Sequence, residues 1–345
     1  MKTTTTFIVY TFLAATVELF GQFSHAPRTY VAYKTTDKIN VDGLADEVSW
    51  KKSPFTDNFI DIEGIKKPKF EAKAKMLWDE ENFYVFARME EPHVWGNLKQ
   101  RDTIIFYNND FEIFIDPDGD THNYYELEIN SLNTPWDLFL TKPYRNGGKV
   151  LDSWDAQGLK SAIYVDGTIN DPSDLDKGWS IEIAIPWSAI TEAASDGNLP
   201  ENKYWRVNFS RVNWDFNVEN GNYHREKDAS DNYLPEYNWV WSPQWVVNMH
   251  EPEHWGYVFF SGNMPERPTE FSIPKDEHVK WMLYEWYRKL HGDINQKLPK
   301  YATVFEEQIA LNLETHRTGW NLWCISPFSG EQLIIKNDGK FIKKE

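Results

Sequence analysis

Two short stretches decide the fold: FEIFI at residues 111–115 and YYELEIN at residues 124–130. Both contain aromatic and β-branched residues, and in the second stretch apolar and polar residues alternate, as in a β-strand with two different faces. Between them, the turn DPDGD at residues 116–120 contains residues that favour chain reversal. The pattern predicts an antiparallel hairpin.

Similar strand patterns recur from about residue 30 to residue 262, separated by turn residues such as Asn146-Gly147-Gly148 and Asp166-Gly167. They occupy residues 83–87, 136–141, 179–185, 205–212 and 256–260. Many short strands with almost no helix predict an all-β fold, here an antiparallel β-sandwich of jelly-roll type over residues 28–262.

The pattern changes in a linker at residues 263–275, which contains three prolines. Beyond it, Val279, Met282, Leu283 and Trp286 recur at helical spacing and predict a helix whose apolar stripe packs on the sandwich. A small β-meander follows. Residues 263–345 are therefore predicted to be a C-terminal helix and meander extension packed on the sandwich.

The first 21 residues have the features of a secretory signal peptide. Lys2 precedes a largely apolar stretch at residues 7–20, and we place cleavage after Gly21. The stretch is too short for a membrane anchor and contains Glu18. We therefore expect a secreted or periplasmic protein without membrane insertion.

Composition restricts the partners. The formal net charge of −17 opposes binding to nucleic acid or anionic lipid, whereas neutral sugars and divalent cations are compatible with it. The 17 Trp, 17 Tyr and 21 Phe suit flat sugar-binding surfaces, although aromatic residues also fill sandwich cores. The single cysteine, Cys324, excludes an intrachain disulfide. We expect a monomer.

Four ordered segments carry a family resemblance. They are INVDG at 39–43 with Asp46, Glu47 and Trp50; WDEENFYV at 78–85; NDFEIFID at 109–116 with YYELEIN; and the stretch from Gly178-Trp179 to Ile185-Pro186-Trp187, with WGYV closing at 255–258. In order and spacing this set resembles the family 9 carbohydrate-binding modules over about two-thirds of the chain.

The resemblance implies a non-catalytic sandwich that grips the end of a sugar or polysaccharide between two Trp rings, with calcium supporting the structure. It also implies an exported protein associated with xylanases and xylan-type polysaccharide catabolism. Glu112 and Asn130 match sugar-contacting positions of the family, and Arg211 falls where a polar contact is expected. The two ring positions fall near Phe106 or Tyr107 and near Met249.

Strand alternation indicates a binding face. It puts Glu126, Glu128 and Asn130 on one side of their strand, where two like charges about 7 Å apart need water, a cation or a basic side chain. Arg211 lies on a predicted strand that could supply the compensating charge. Carboxylates and an arginine on a rigid sheet can bind sugar hydroxyls. The alternative is a solvated outer face.

Several aromatic residues are further candidates for sugar contact. Trp136 follows directly on the Asn130 strand, and Trp245, which follows Pro243, is expected to be exposed. His250 and Trp255 belong to the stretch HEPEHW, where Pro252 opposes the helix that a zinc site with two histidines four apart would use. We interpret this stretch as a loop beside the binding face.

The acidic turn is a candidate metal site. Asp116, Asp118 and Asp120 alternate along it, as carboxylates often do in sites for Ca²⁺, a hard cation that prefers oxygen ligands. An ordinary acidic hairpin turn explains the same residues.

Two other functions remain open. Glu112, Glu126 and Glu128 could be the acid and nucleophile of a glycoside hydrolase, whose carboxyl groups lie about 5–5.5 Å apart for retention and about 6.5–9.5 Å apart for inversion. The sandwich could also be a structural or protein-binding module outside the cell. We expect no intrinsic activity, and hydrolysis of O-glycosyl bonds if there is any.

Overall fold

Fifteen strands and two short helices precede residue 262 in the computed structural model, which describes residues 26–344. The predicted signal peptide, residues 1–21, lies outside the described residues. The strands are β1 (Thr29–Lys34), β2 (Ile60–Asp61), β3 (Ala72–Trp78), β4 (Asn82–Glu90), β5 (Asp110–Asp116), β6 (Tyr124–Asn130), β7 (Pro135–Leu140), β8 (Val150–Leu151), β9 (Lys160–Asp166), β10 (Gly178–Pro186), β11 (Tyr204–Asn213), β12 (Phe216–Glu219), β13 (Asn222–Arg225), β14 (Tyr237–Val240) and β15 (Gly256–Ser261). The helices are α1 (Val48–Lys52) and α2 (Trp187–Ile190).

Thirteen of these strands form one sheet in the order β8-β7-β6-β5-β11-β15-β1-β3-β4-β10-β9, with β14 beside β11 and β2 beside β14. Its two halves face each other across one core. Ile113, Leu127 and Phe209 from β5, β6 and β11 share this core with Val85 and Ile183 from β4 and β10. The predicted all-β sandwich is therefore confirmed. One detail differs, because β1 pairs in parallel with both β15 and β3.

The hairpin β5–β6 is buried on both sides. Its apolar residues, such as Ile113 and Leu127, face the core, and the alternate residues Glu112 and Glu128 point the other way. Every residue of both strands is nevertheless buried, because other segments cover the outer side. The predicted alternative of a solvated outer face is therefore wrong.

The extension consists of a helix and six strands. They are α3 (Lys275–Gly292), β16 (Tyr301–Val304), β17 (Glu307–Ala310), β18 (Asn312–His316), β19 (Gly319–Ile325), β20 (Gln332–Lys336) and β21 (Phe341–Lys344). Val279 and Leu283 of α3 pack against Leu322 and Ile335 of the extension's own strands. The apolar stripe therefore packs within the extension, whereas the sequence pattern predicted that it packs on the sandwich. In the described part of the chain, no helix is both long and apolar enough to cross a membrane.

A different side of α3 contacts the sandwich, through polar groups. The buried Glu277 carboxylate accepts hydrogen bonds from the hydroxyls of Tyr204 and Tyr257, at 3.2 and 2.7 Å. It also lies 3.7 Å from Arg206 and 3.6 Å from Lys280. These contacts join the extension to β11 and β15, two strands of the sandwich.

Candidate functional site

The outer side of the hairpin forms the floor of a groove of about 330 Å³. Glu112 on β5 lies directly opposite Glu128 on β6, which in turn lies opposite Trp136 on β7. One step along the strands, Phe114 lies opposite Glu126. Because alternate residues of a strand point to the same side, these side chains form two adjacent rows on the floor.

The walls of the groove come from two other parts of the chain. Strand β7 supplies Trp136 and Leu138, and the irregular segment after β14 supplies Met249 and His250. At the mouth, the exposed Arg145 donates from Nη2 to the carbonyl of Val247, at 3.2 Å. The groove is open to solvent above a floor of buried carboxylates.

The floor is strongly acidic and almost without counter-charge. Glu112, Glu126 and Glu128 are 5%, 5% and 2% exposed, and no lysine or arginine among residues 26–344 comes within 4.0 Å of their carboxylates. The nearest titratable nitrogen is His250 Nε2, 3.9 Å from Glu126. Burial raises the pKa of Glu112 to about 7, and burial with mutual repulsion raises the pKa values of Glu126 and Glu128 well above their usual range.

His250 is held as a neutral polar group at the edge of the floor. Its Nδ1 lies 2.8 Å from the Tyr124 hydroxyl, and its ring packs edge-on against Phe114. Burial lowers the pKa of His250 to about 3, so the imidazole is uncharged at neutral pH. The groove thus combines carboxylate acceptors, a neutral imidazole and a tryptophan ring, which are the groups that bind uncharged polyhydroxyl ligands.

Four of the predicted site residues therefore meet in the groove: Glu112, Glu128, Trp136 and His250. Trp255 does not line it. It is fully buried beneath the groove, where it packs on Phe114 and Tyr124 and donates from Nε1 to the carbonyl of Met249. The prediction that it contacts ligand is corrected, because its hydrophobic surface is already covered.

Arg211 lies on the other side of the sheet. Ser210, its neighbour on β11, is the residue that lies opposite Glu112, so Arg211 points away from the groove. There its guanidinium is buried 3.2 Å from Glu91, whose carboxylate also accepts a hydrogen bond from Trp179. The prediction that Arg211 compensates Glu128 is therefore wrong.

Asn130 and Tyr107 also lie outside the groove lining. Asn130 is fully buried, and its side chain donates to the carbonyl of Leu98 and accepts from the backbone N–H groups of Leu132 and Thr134. It holds neighbouring loops together. Tyr107 is exposed, and the guanidinium of Arg225 lies 4.3 Å from its ring centre.

Trp245 is exposed, as predicted, but it is not part of the groove. Its ring lies over Gly64, which has a φ of +70°. A Cβ atom at this glycine would come within 2.4 Å of the Trp245 ring, so a side chain there would displace the tryptophan.

The acidic turn fits calcium poorly. Carboxylate oxygens of Asp116, Asp118 and Asp120 lie within 4.8 Å of one another. However, Asp116 accepts two backbone hydrogen bonds, Lys340 lies 2.9 Å from Asp120, and Lys280 donates to the carbonyl of Gly119. A calcium ion would compete with two ammonium groups. Calcium at this turn stays a prediction.

Three further groove residues, Tyr144, Arg145 and Glu236, were not indicated by the sequence. They lie in irregular segments, where alternation gives no information about side-chain direction. Tyr144 and Arg145 belong to a short 3₁₀ turn, Tyr144–Asn146, in the connection that follows β7, and no local sequence pattern shows which way their side chains point.

The structure is a largely antiparallel β-sandwich with an open groove on its outer side, lined by carboxylates, a neutral imidazole and a tryptophan ring. Residues 41–201 match the family described as carbohydrate family 9 binding domain-like. The predicted resemblance, and the carbohydrate-binding function that goes with it, are confirmed by this match.

Two curated relatives are similar to the same part of the chain. The exoglucanase XynX of Acetivibrio thermocellus is 27% identical over 153 residues, which are 44% of this chain and 12% of the relative. The endo-1,4-beta-xylanase A of Thermoanaerobacterium saccharolyticum is 26% identical over 153 residues, 44% of this chain and 11% of the relative. The chain therefore spans only a small part of these much longer proteins.

A solved structure is also similar: a family 9 carbohydrate-binding module from Caldicellulosiruptor kristjanssonii in complex with cellotriose. It is 15% identical with a TM-score of 0.44, and the match covers 71% of this chain and 100% of the module.

Proposed function

We propose that the sandwich binds the ends of sugar or polysaccharide chains in the groove between β7 and the segment after β14. The observation that carries this proposal is the row formed by Glu112, Glu128 and Trp136 on the floor and wall of one open groove. Each carboxylate offers two oxygen acceptors to sugar hydroxyls, and an indole ring offers a flat apolar surface to a sugar face.

The size of the groove supports binding of a chain end. Its volume of about 330 Å³ lies near the lower end of the range for small-molecule sites, about 300–1,000 Å³. The groove would therefore enclose only a short segment of a bound sugar chain, and Arg145 and Tyr144 would lie at its mouth. The acidic floor favours neutral sugars over uronic acids, because Glu112, Glu126 and Glu128 would repel a carboxylate on the sugar.

The biological setting is also part of the proposal. The relatives that match residues of this domain are named as an exoglucanase and a xylanase, and the sequence begins with the features of an export signal. We therefore place the protein outside the cytoplasm, secreted or periplasmic, in the catabolism of xylan-type polysaccharides.

One observation favours a second candidate, glycoside hydrolysis. Glu112 and Glu128 are opposed on neighbouring strands, with carboxylate oxygens within 4.8 Å, and the pKa of Glu112 is raised to about 7 by burial. A retaining glycosidase needs two carboxyl groups about 5–5.5 Å apart, one of them protonated at neutral pH.

A glycan array that includes cello- and xylo-oligosaccharides, probed with the full chain and followed by calorimetry, tests both candidates. We expect binding without cleavage, and at least a tenfold loss of affinity in Glu112→Gln, because a charged hydrogen bond contributes about 1.5–3 kcal/mol. The exposed Glu307→Gln is the control. Unchanged affinity of Glu112→Gln for every bound sugar would place the site elsewhere. Cleavage that Glu112→Gln abolishes would establish the hydrolase.

A further inference from the structure

Three carboxylates converge at the floor of the groove. Asp110 lies two residues before Glu112 on β5, and therefore on the same side of the sheet, and Glu112 lies opposite Glu128 on β6. One carboxylate oxygen from each of the three lies within 4.8 Å of the others. The three residues will be called the floor triad.

The floor triad is buried without a compensating charge. Asp110, Glu112 and Glu128 are 0%, 5% and 2% exposed, and within residues 26–344 no basic nitrogen lies within 4.0 Å of their carboxylates. Arg211, the basic residue that the sequence suggested as the compensating charge, points to the opposite side of the sheet. Three negative charges buried together repel one another strongly, so the arrangement requires either protonation or a cation.

One oxygen of the triad also has no hydrogen-bond partner. Oδ1 of Asp110 accepts a long hydrogen bond from the backbone N–H of Val212, at 3.4 Å. Oδ2 is buried, and no donor in the described part of the chain reaches it. Buried carboxylate oxygens are rarely left unpartnered in native proteins, so an unpaired oxygen within a converging triad points to a missing ligand.

The acidic turn provides a comparison within the same molecule. Its three aspartates are equally close, but Lys340 pairs with Asp120 and Lys280 bonds to the carbonyl of Gly119. The turn therefore obtains its positive charge from the extension. The floor triad has no such source.

We propose that Asp110, Glu112 and Glu128 hold a calcium ion at the floor of the groove. Calcium takes six to eight oxygen ligands, and three carboxylates supply only part of this set. Glu112 and Glu128 line the open groove, so water or the hydroxyls of a bound sugar complete the coordination. The part of this inference that concerns sugar rests on the proposed function, whereas the cation site does not.

The test is calcium titration of the full chain after removal of metal with a chelator, by calorimetry and by the unfolding midpoint. Terbium luminescence is a second readout, because Trp136 lies beside Glu128 and can sensitise a bound lanthanide. We expect calcium to raise the midpoint of the parent and of Asp118→Asn, since a ligand that binds only the native state stabilises it. Asp110→Asn and Glu128→Gln should bind at least tenfold more weakly.

Unchanged calcium binding in Asp110→Asn and Glu128→Gln, or no binding by the parent, would overturn the inference. Both substitutions are nearly isosteric and remove a repulsive buried charge, so without calcium we expect them to unfold no earlier than the parent. Sugar binding is then measured with and without calcium. Sugar binding that persists in chelator, in a parent that takes up no calcium, would remove the cation site and leave the proposed function. If the parent takes up calcium but binds no sugar under any condition, the cation site is kept and the proposed function is wrong.

Discussion

Glu112 and Glu128 lie directly opposite each other on neighbouring antiparallel strands, both buried and both pointing away from the hydrophobic core. Like charges in such a pair destabilise a sheet, and burial increases the repulsion. The core-facing neighbours Ile113 and Leu127, also opposite each other, stabilise the same hairpin from its other side. One pair of strands thus provides both the sandwich core and the acidic floor of the groove.

The two tryptophans near the groove should respond differently to removal. Trp136→Ala should weaken sugar binding by about tenfold through loss of stacking, with little change in the free energy of unfolding, because this ring is only half-buried. Trp255→Ala should lower the free energy of unfolding by about 3–5 kcal/mol, because it opens a cavity beneath the floor. Calorimetry and urea unfolding measure the two effects. Trp136→Phe, which keeps a ring, should retain most of the affinity. A large loss of stability in Trp136→Ala would contradict this division.

Replacing Arg211 should affect stability and not binding. Arg211→Met leaves Glu91 charged and buried without its partner, which should cost about 3–5 kcal/mol in urea unfolding. The double variant Arg211→Met, Glu91→Gln should recover part of this loss, since Gln keeps an acceptor for Trp179. Arg267→Met, at an exposed position, is the control. If Arg211→Met instead bound sugar more weakly at unchanged stability, its placement away from the groove would be wrong.

Glu277 should make the contact between extension and sandwich sensitive to acid. Burial alone would raise its pKa, but Lys280 and Arg206 outweigh burial and hold the pKa below its usual value of 4.5. A carboxylate whose pKa is lower in the folded state stabilises the fold above pH 4.5, and this contribution is lost as pH falls through the folded-state pKa. Glu277→Gln should therefore destabilise the protein by about 3 kcal/mol at pH 7, and the difference should shrink below pH 4.5.

Chemical unfolding of the parent and Glu277→Gln at pH 7, 5 and 3.5 measures this difference. The exposed Glu307→Gln should show no such dependence. A destabilisation by Glu277→Gln that stays constant down to pH 3.5 would mean that its charge does not stabilise the contact.

Alternation along single strands predicted the hairpin and the shared side of Glu126 and Glu128 correctly. It could not place Arg211, because alternation shows which residues of one strand share a side but not how that strand aligns with its neighbour. The pairing of Ser210 with Glu112 puts Arg211 on the core side, and a shift of one residue would have reversed it. Alignment between distant strands depends on the whole core, which no local pattern contains.

The burial of Trp255 could not be predicted from the sequence either, whereas the exposure of Trp245 and the groove position of Trp136 were predicted correctly. Trp136, Trp245 and Trp255 have the same side chain, yet one lines the groove, one is exposed and one is fully buried. The difference comes from their surroundings, since Phe114 and Tyr124 cover Trp255 from the hairpin. The helical stripe of α3 was read correctly as apolar, but its partner strands lie later in the chain.

The turn that connects the two carboxylate-bearing strands is completed by residues made much later. Thr121 donates to the carbonyl of Gly339, at 3.0 Å and 218 residues away, and Phe341 donates to the carbonyl of Asp120. At a synthesis rate of about 5–20 residues per second, roughly 10–40 s separate the two partners, whereas a hairpin forms in about 1–10 μs. A nascent chain therefore holds this hairpin without the contacts at its turn until Gly339 and Phe341 have been synthesised and have left the ribosome.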